Sequence, residues 1–230
     1  MKSAGAQILT KPKFTALEGA RIYSQLRKDI TEAGILDRSY GYYAFITFVA
    51  FWGFFTSIFF IIVSTSIFST LFWSFVLVIF SIQLAGFFHD AGHRAVFKSS
   101  FWNDVFGYFV SFFSAISFSF WKEEHNAHHA NPNDTEDDPD VFNLFIAFTK
   151  NKRLHNNFEL AIRKYQAYLY YPFGVVYLVA YRVRSIFYYK GNTRPFIFFE
   201  VPFFVLGVLV WYIGPFVLMD PIKAIVFILS

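Results

Sequence analysis

The chain has 230 residues, of which 56% are hydrophobic and 16% charged, against about 25% charged in an average soluble domain. A soluble domain of this composition would lack the polar atoms to cover its own surface, and a net charge of +4 is too thin for a protein that grips nucleic acid through dense basic charge. Cysteine is absent, which excludes a disulfide framework, thiolate metal sites and a cysteine nucleophile.

Hydrophobic spans are the natural unit of such a chain. Residues 14–36 carry an amphipathic pattern and read as a helix lying on a membrane surface, within a cytoplasmic N-terminal segment, 1–40. No Asp, Glu, Lys or Arg occurs in residues 39–88, a stretch long enough for two spans of about 20 residues and a tight turn. The spans are expected at about 43–63 and 71–88, with the small polar run 64–70 as the turn. Residues 105–121 are also uncharged but short, Ser-rich and flanked by polar motifs, so an interfacial or dipping helix is expected there. A second interfacial segment is expected at about 165–189, where Tyr is dense and Arg182 and Arg184 are placed to snorkel. A third span is expected at about 196–218, with the acidic Glu200 near its start. The fold class is therefore an all-α membrane protein, with helical hairpins capped by polar motifs and interfacial helices.

The basic residues orient these spans. Residues 1–40 hold seven Lys or Arg and residues 89–195 hold twelve, whereas the turn at 64–70 has none. The positive-inside rule puts the N-terminus and the central block in the cytoplasm and both short turns outside. After Asp220-Pro221 a new apolar run begins and ends within a few residues, so the sequence reads as the N-terminal part of a longer protein.

Five of the six histidines fall in two short clusters on that cytoplasmic side. His89 and His93 are i and i+4, at the end of the second span. His125, His128 and His129 are i, i+3 and i+4, after the third apolar segment. Each set shares one helical face. Neutral imidazole is the usual nitrogen ligand of iron, zinc and copper, and five imidazoles exceed the needs of one four-coordinate zinc. A larger site is expected, of two metals. The sixth, His155, stands in a basic stretch with no histidine at helical spacing and reads as a surface residue. A zinc protease is disfavoured: Asp90 rather than Glu follows His89, and Asn126 follows His125. Ligand imidazoles need a partner on the other ring nitrogen. Asn103, Asp104 and the carboxylates of the acidic stretch 134–140 are the candidates, with Asp138 and Asp140 flanking Pro139 the best placed.

The two motifs, HDAGHRAVFKSSFWND (89–104) and WKEEHNAHHANPNDTEDDPDV (121–141), resemble the HxxxH and HxxHH boxes of the membrane fatty acid desaturase family. The run 165–178 is similar to the family's interfacial stretch, and the wording of the second box is most like acyl-CoA or acyl-lipid and front-end desaturases. The resemblance implies a di-iron centre, two Fe ions held by His89, His93, His125, His128 and His129. It implies that O2, with electrons from a donor such as cytochrome b5 or ferredoxin, inserts a double bond into an acyl chain carried by CoA or a lipid. Residues 41–230 would form the desaturase domain. The family's third box, HxxHH or QxxHH, has no counterpart here, since no histidine follows His155. The expectation is a domain truncated before that box and a di-iron site short of ligands. A related di-iron hydroxylase or ketolase, and an inactive truncated membrane protein, are the alternative readings.

Overall fold

The structure, a computed structural model, describes residues 15–134, 137–140, 157–191 and 196–229. Two expected features, His155 and Glu136, lie outside them. The chain divides into two compact units, Met1–Ser39 and Tyr40–Ser230.

In the first unit, α1 spans Ala16–Glu32. Thr15 and Glu18 close a capping box: the Thr15 hydroxyl accepts from Glu18 N at 3.2 Å, and the Glu18 carboxylate accepts from Thr15 N at 2.8 Å. This satisfies two amides that have no partner inside the helix. Gly34, at φ +70°, ends the helix in the left-handed conformation that only glycine adopts cheaply. No residue of α1 is buried, and Leu17, Ile22, Tyr23 and Leu26 are exposed.

The second unit begins with a helical hairpin, α2 (Tyr40–Val63) and α3 (Ile67–Gly92). Ala50, Gly53, Phe54, Ser57 and Ile61 make the buried stripe of α2, and their spacing of three or four is one helix face. Small residues let the backbones approach, as they do between helices in lipid. A Cβ on Gly53 would lie 2.1 Å from the Phe80 ring. The link is shorter than the expected 64–70: α3 starts at Ile67, because its first-turn polar groups find partners inside the hairpin. Thr70 Oγ1 donates to Ser66 O at 3.2 Å and lies 3.0 Å from Ser64 Oγ.

The expected interfacial helix at 105–121 is two helices, α4 (Ser100–Ser114) and α5 (Phe118–Ala130), bent by 107°. Ala115 closes α4 at φ +50°, and Ser117 opens α5 by accepting from Phe120 N at 3.1 Å. Gly107 gives the bend its close packing, since a Cβ there would meet the Phe118 ring at 2.4 Å. The long α6 (Asn157–Gly191) contains the Tyr-rich stretch. The last span is α7 (Ile197–Val208), a π-helical turn (Leu209–Ile213) and α8 (Gly214–Leu218), followed by α9 (Pro221–Leu229). Lys223 of α9 bonds Ser64 O, which joins the two short turns.

Tyr40–Val63, Ile67–Gly92 and Ile197–Leu218 are long and apolar enough to cross a membrane, and α4 with α5 passes the same test as a bent pair. At 1.5 Å per residue the shortest of them, of 22 residues, is about 33 Å long, matching a hydrocarbon core of about 30 Å. Phe45, Phe48, Trp52, Phe55, Phe59, Phe68 and Phe72 stand exposed on them. Water would not tolerate that surface. The chain is an all-α membrane protein.

The contact of α7 with α4 is backbone-close. Gly207 passes the Phe112 carbonyl so tightly that a Cβ would sit 2.3 Å from its oxygen, and Trp211 Nε1 donates to the same oxygen at 2.9 Å. Gly207→Ala must push the two helices apart. Overpacking of this kind costs about 1–3 kcal/mol, so the variant should melt several degrees below wild type in detergent, followed by near-ultraviolet circular dichroism.

Candidate metal centre

The α3 helix delivers His89 and then ends, with His93 as its C-cap residue. The α5 helix delivers His125, His128 and His129 in its last two turns. The two helix ends meet, and four imidazoles point their Nε2 atoms at one another. His93 Nε2 is 3.2 Å from that of His89 and 3.0 Å from that of His125, and His129 Nε2 is 3.1 Å from that of His125. The donor atoms of all four lie within 4.8 Å of one another.

The three short spacings match neighbouring ligands on one ion. Imidazole nitrogens about 2.0–2.1 Å from a metal are about 2.9 Å apart when cis in an octahedron and about 3.3 Å apart in a tetrahedron. The sequence motifs therefore converge on a group that fits a first-row transition metal. Burial and then the neighbouring imidazoles of His89 and His129 push His125 down to about 4, and the same two causes lower His93 against a smaller opposing effect of Asp90. Both rings are neutral at pH 7, with lone pairs available for a metal.

His128 stands apart from the four. Its ring centroid is 5.6 Å from that of His129 and 6.2 Å from that of His125, and it forms a second group with Asp138 and Asp140. Its Nδ1 faces both oxygens of Asp138 at 2.9 Å and the Asp140 carboxylate at 3.5 Å. A carboxylate can only accept, so Nδ1 carries the proton and Nε2 is the free donor. The hydrogen bond to Asp138 raises the His128 pKa. Burial would push the Asp138 carboxyl up, but bonds from His128 and from the amides of Asp140 and Asn133 hold it below the ordinary carboxylate range.

The other two expected partners do different work. Asn103 is fully buried and commits its carboxamide to the loop between His93 and α4. Its oxygen accepts from Val96 N and Phe97 N at 3.2 and 3.1 Å, and its nitrogen donates to Phe97 O and Ser99 O, both at 2.7 Å. No donor or acceptor remains for an imidazole. Asp104 bridges Arg94 and Lys122, both at 2.7 Å, and so ties the residue after His93 to α5.

Several contributors escaped the sequence reading. Asp90 lies 3.5 Å from His89 Nδ1 and is held by the Tyr43 hydroxyl of α2, which donates to it at 2.9 Å. Trp121 stacks on His125 at 4.5 Å and 17°, and packs against Phe88 at 4.8 Å. Gly92 makes room for that indole, since a Cβ would lie 2.6 Å from it. The glycine before the second histidine was the available signal for Trp121; nothing in the sequence pointed to Tyr43. Tyr43→Phe frees Asp90 and loosens His89. Loss of such outer partners typically costs 10–100-fold in metal affinity, and a fall of about 10-fold is expected here in a competitive Co(II) titration.

Comparison with known proteins follows the same residues. A sequence model of the fatty acid desaturase family matches residues 65–229, which include both histidine motifs. The chain belongs to the fatty acid desaturase family. It is similar to an acyl-lipid 8-desaturase of Rebecca salina, 32% identical over 106 residues, covering 44% of this chain and 25% of the relative. A delta 8-(E)-sphingolipid desaturase of Emericella nidulans is 29% identical over 190 residues, 72% of this chain and 33% of the relative. A delta(8)-fatty-acid desaturase of Helianthus annuus is 33% identical over 105 residues, 40% of this chain and 23% of the relative. The chain thus spans a quarter to a third of the length of these relatives. No solved structure matches.

Proposed function

We propose that these residues form the first two-motif part of a membrane desaturase that introduces a double bond into an acyl chain, using O2 and electrons from a donor such as cytochrome b5 or ferredoxin. The observation that carries this reading is the convergence of His89, His93, His125 and His129 at the ends of the apolar helix α3 and the polar helix α5. These four would hold one iron, and His128 Nε2 is oriented to begin the shell of a second. Five imidazoles do not complete two shells, so a di-iron centre would take further donors besides them. Bound iron supplies the oxidising power to break an unactivated C–H bond, which no side chain can do.

The chain's own residues supply the rest. Neutral His93 and His125 present lone pairs without first losing a proton. Asp138 keeps the His128 proton on Nδ1 and turns Nε2 outward. Trp121, backed by Phe88 and Phe118, forms an apolar wall on one side of the imidazoles, while His89, His93 and His129 are exposed on the other. The site lies at the end of the spanning helix α3, where an acyl chain would arrive from lipid and O2 and electrons from water. The basic residues of 1–40 and 89–195 support a multi-pass topology with this face cytoplasmic, and the exposed apolar side chains of α1 support its resting on the membrane surface. An acyl-lipid or sphingolipid substrate is favoured by the names of the relatives.

The test is lipid analysis of a host expressing the complete protein that carries these residues. New unsaturated acyl or long-chain-base products, lost in His93→Ala, are expected. Hydroxylated products in place of unsaturated ones would contradict the reading.

A further inference from the structure

Glu200 is an acidic side chain in the first turn of a membrane-spanning helix, and it is 0% exposed. Acidic groups in such positions are costly and mark function. Its partners identify what it acts on. Glu200 Oε1 accepts from the Ser117 hydroxyl at 2.8 Å and from Ser119 N at 3.1 Å. Both belong to the N-terminus of α5, which ends in His125, His128 and His129. Ser117 in turn accepts from Phe120 N at 3.1 Å, and its own amide donates to Ser185 Oγ of α6 at 3.0 Å. Ser117 and Ser185 are fully buried and Ser119 nearly so. One carboxylate oxygen therefore gathers α5 against α7 at the 107° bend, with α6 completing the knot.

Apolar packing alone does not set the axial position or the rotation of a short helix; directional hydrogen bonds to its first-turn amides do. The second oxygen, Oε2, makes no hydrogen bond of good geometry among the described residues, and the buried Tyr189 hydroxyl of α6 is its polar neighbour. Replacing Glu200 with leucine would leave the Ser117 hydroxyl and the Ser119 amide buried without this acceptor. What Glu200 contributes is directional.

We infer that Glu200 is a positioning residue for the second histidine motif: from α7 it fixes the start of α5 and thereby the place where His125 and His129 meet His89 and His93. The consequence for metal rests on the metal-centre reading above; the geometric claim does not.

The chain has no cysteine, so two can be introduced without background. Spin labels at Ser100→Cys on α4 and Ala130→Cys on α5, both exposed, report the set of α5 by double electron–electron resonance on the metal-free protein in nanodiscs. A single narrow distance is expected for wild type and for Glu200→Gln, whose carbonyl still accepts both bonds. Glu200→Leu should broaden it. Should Glu200→Leu fail to insert, Ser117→Ala, which leaves Glu200 only the Ser119 amide, carries the same test and must broaden the distance. A second readout is Co(II) affinity, expected to fall about tenfold or more in Glu200→Leu, as for other outer partners of a metal site, and to be retained in Glu200→Gln. An unchanged distance in Glu200→Leu or Ser117→Ala overturns the inference. So does a Glu200→Gln as broad as Glu200→Leu, which would assign the effect to charge. Failure of wild type to bind Co(II) would refute the metal reading and leave the spin-label result to decide on Glu200.

Discussion

His125→Ala should lose the metal. His125 is the hub of the four-imidazole group, within 3.1 Å of both His93 and His129 at Nε2, and it links the two motifs directly. Its removal leaves two donors from α3 and one from α5, with the Trp121 face bared where the ring had stacked. The fall in affinity should exceed the 10–100-fold typical of outer partners and reach at least about 1,000-fold. Equilibrium dialysis with Co(II) measures it, and the intense absorption of a low-symmetry cobalt site should vanish with binding. His128→Ala should keep that first site, since His128 belongs to the group with Asp138 and Asp140. A matching loss in both variants would mean that the two groups act as one.

The second large effect is one of stability. Asn103→Leu deletes four hydrogen bonds at once, one buried and three part-buried. Ser99 O keeps a bond from Asn103 N at 3.2 Å, but Val96 N, Phe97 N and Phe97 O are left without the carboxamide. A fully buried unsatisfied group costs about 1–3 kcal/mol; with Phe97 only part-buried, the three together cost about 3–6 kcal/mol, a large share of what holds a domain folded. The loop from His93 to α4 should open, and the variant should unfold at lower denaturant in a sodium dodecyl sulfate titration of the mixed-micelle protein. Asn103→Asp keeps the acceptor and loses the donor, and should fall between Leu and wild type.

The parts of this architecture legible in the sequence are those that repeat along one helix. The charge-free run 39–88 announces a hairpin, and His spacings of three and four announce a shared face before any partner is known. Asp138 was a candidate for a local reason too: with Asp140 it flanks Pro139, ten residues after His128, near enough for the chain to return. The break at Ala115–Ser117 was not, because the left-handed residue there is an alanine, which carries none of the usual signal of glycine or proline. Asn103 misled because a buried amide beside a motif looks like a ligand partner until the loop's own backbone is seen to take all its bonds. Tyr43 on Asp90 and Glu200 on Ser117 join positions 47 and 83 residues apart, and only the packing of helices across the bilayer brings them together.

On this reading two histidine motifs, 32 residues apart between His93 and His125, make one metal site. Iron K-edge X-ray absorption on the 230-residue chain, loaded with Fe(II) without oxygen in nanodiscs, tests it most directly. One tightly held ion per chain with four imidazole nitrogens is expected, seen as multiple scattering from four rings, with loss of that signal in both His93→Ala and His125→Ala. Iron held by two imidazoles or fewer, or a signal that survives the loss of either motif, would contradict it.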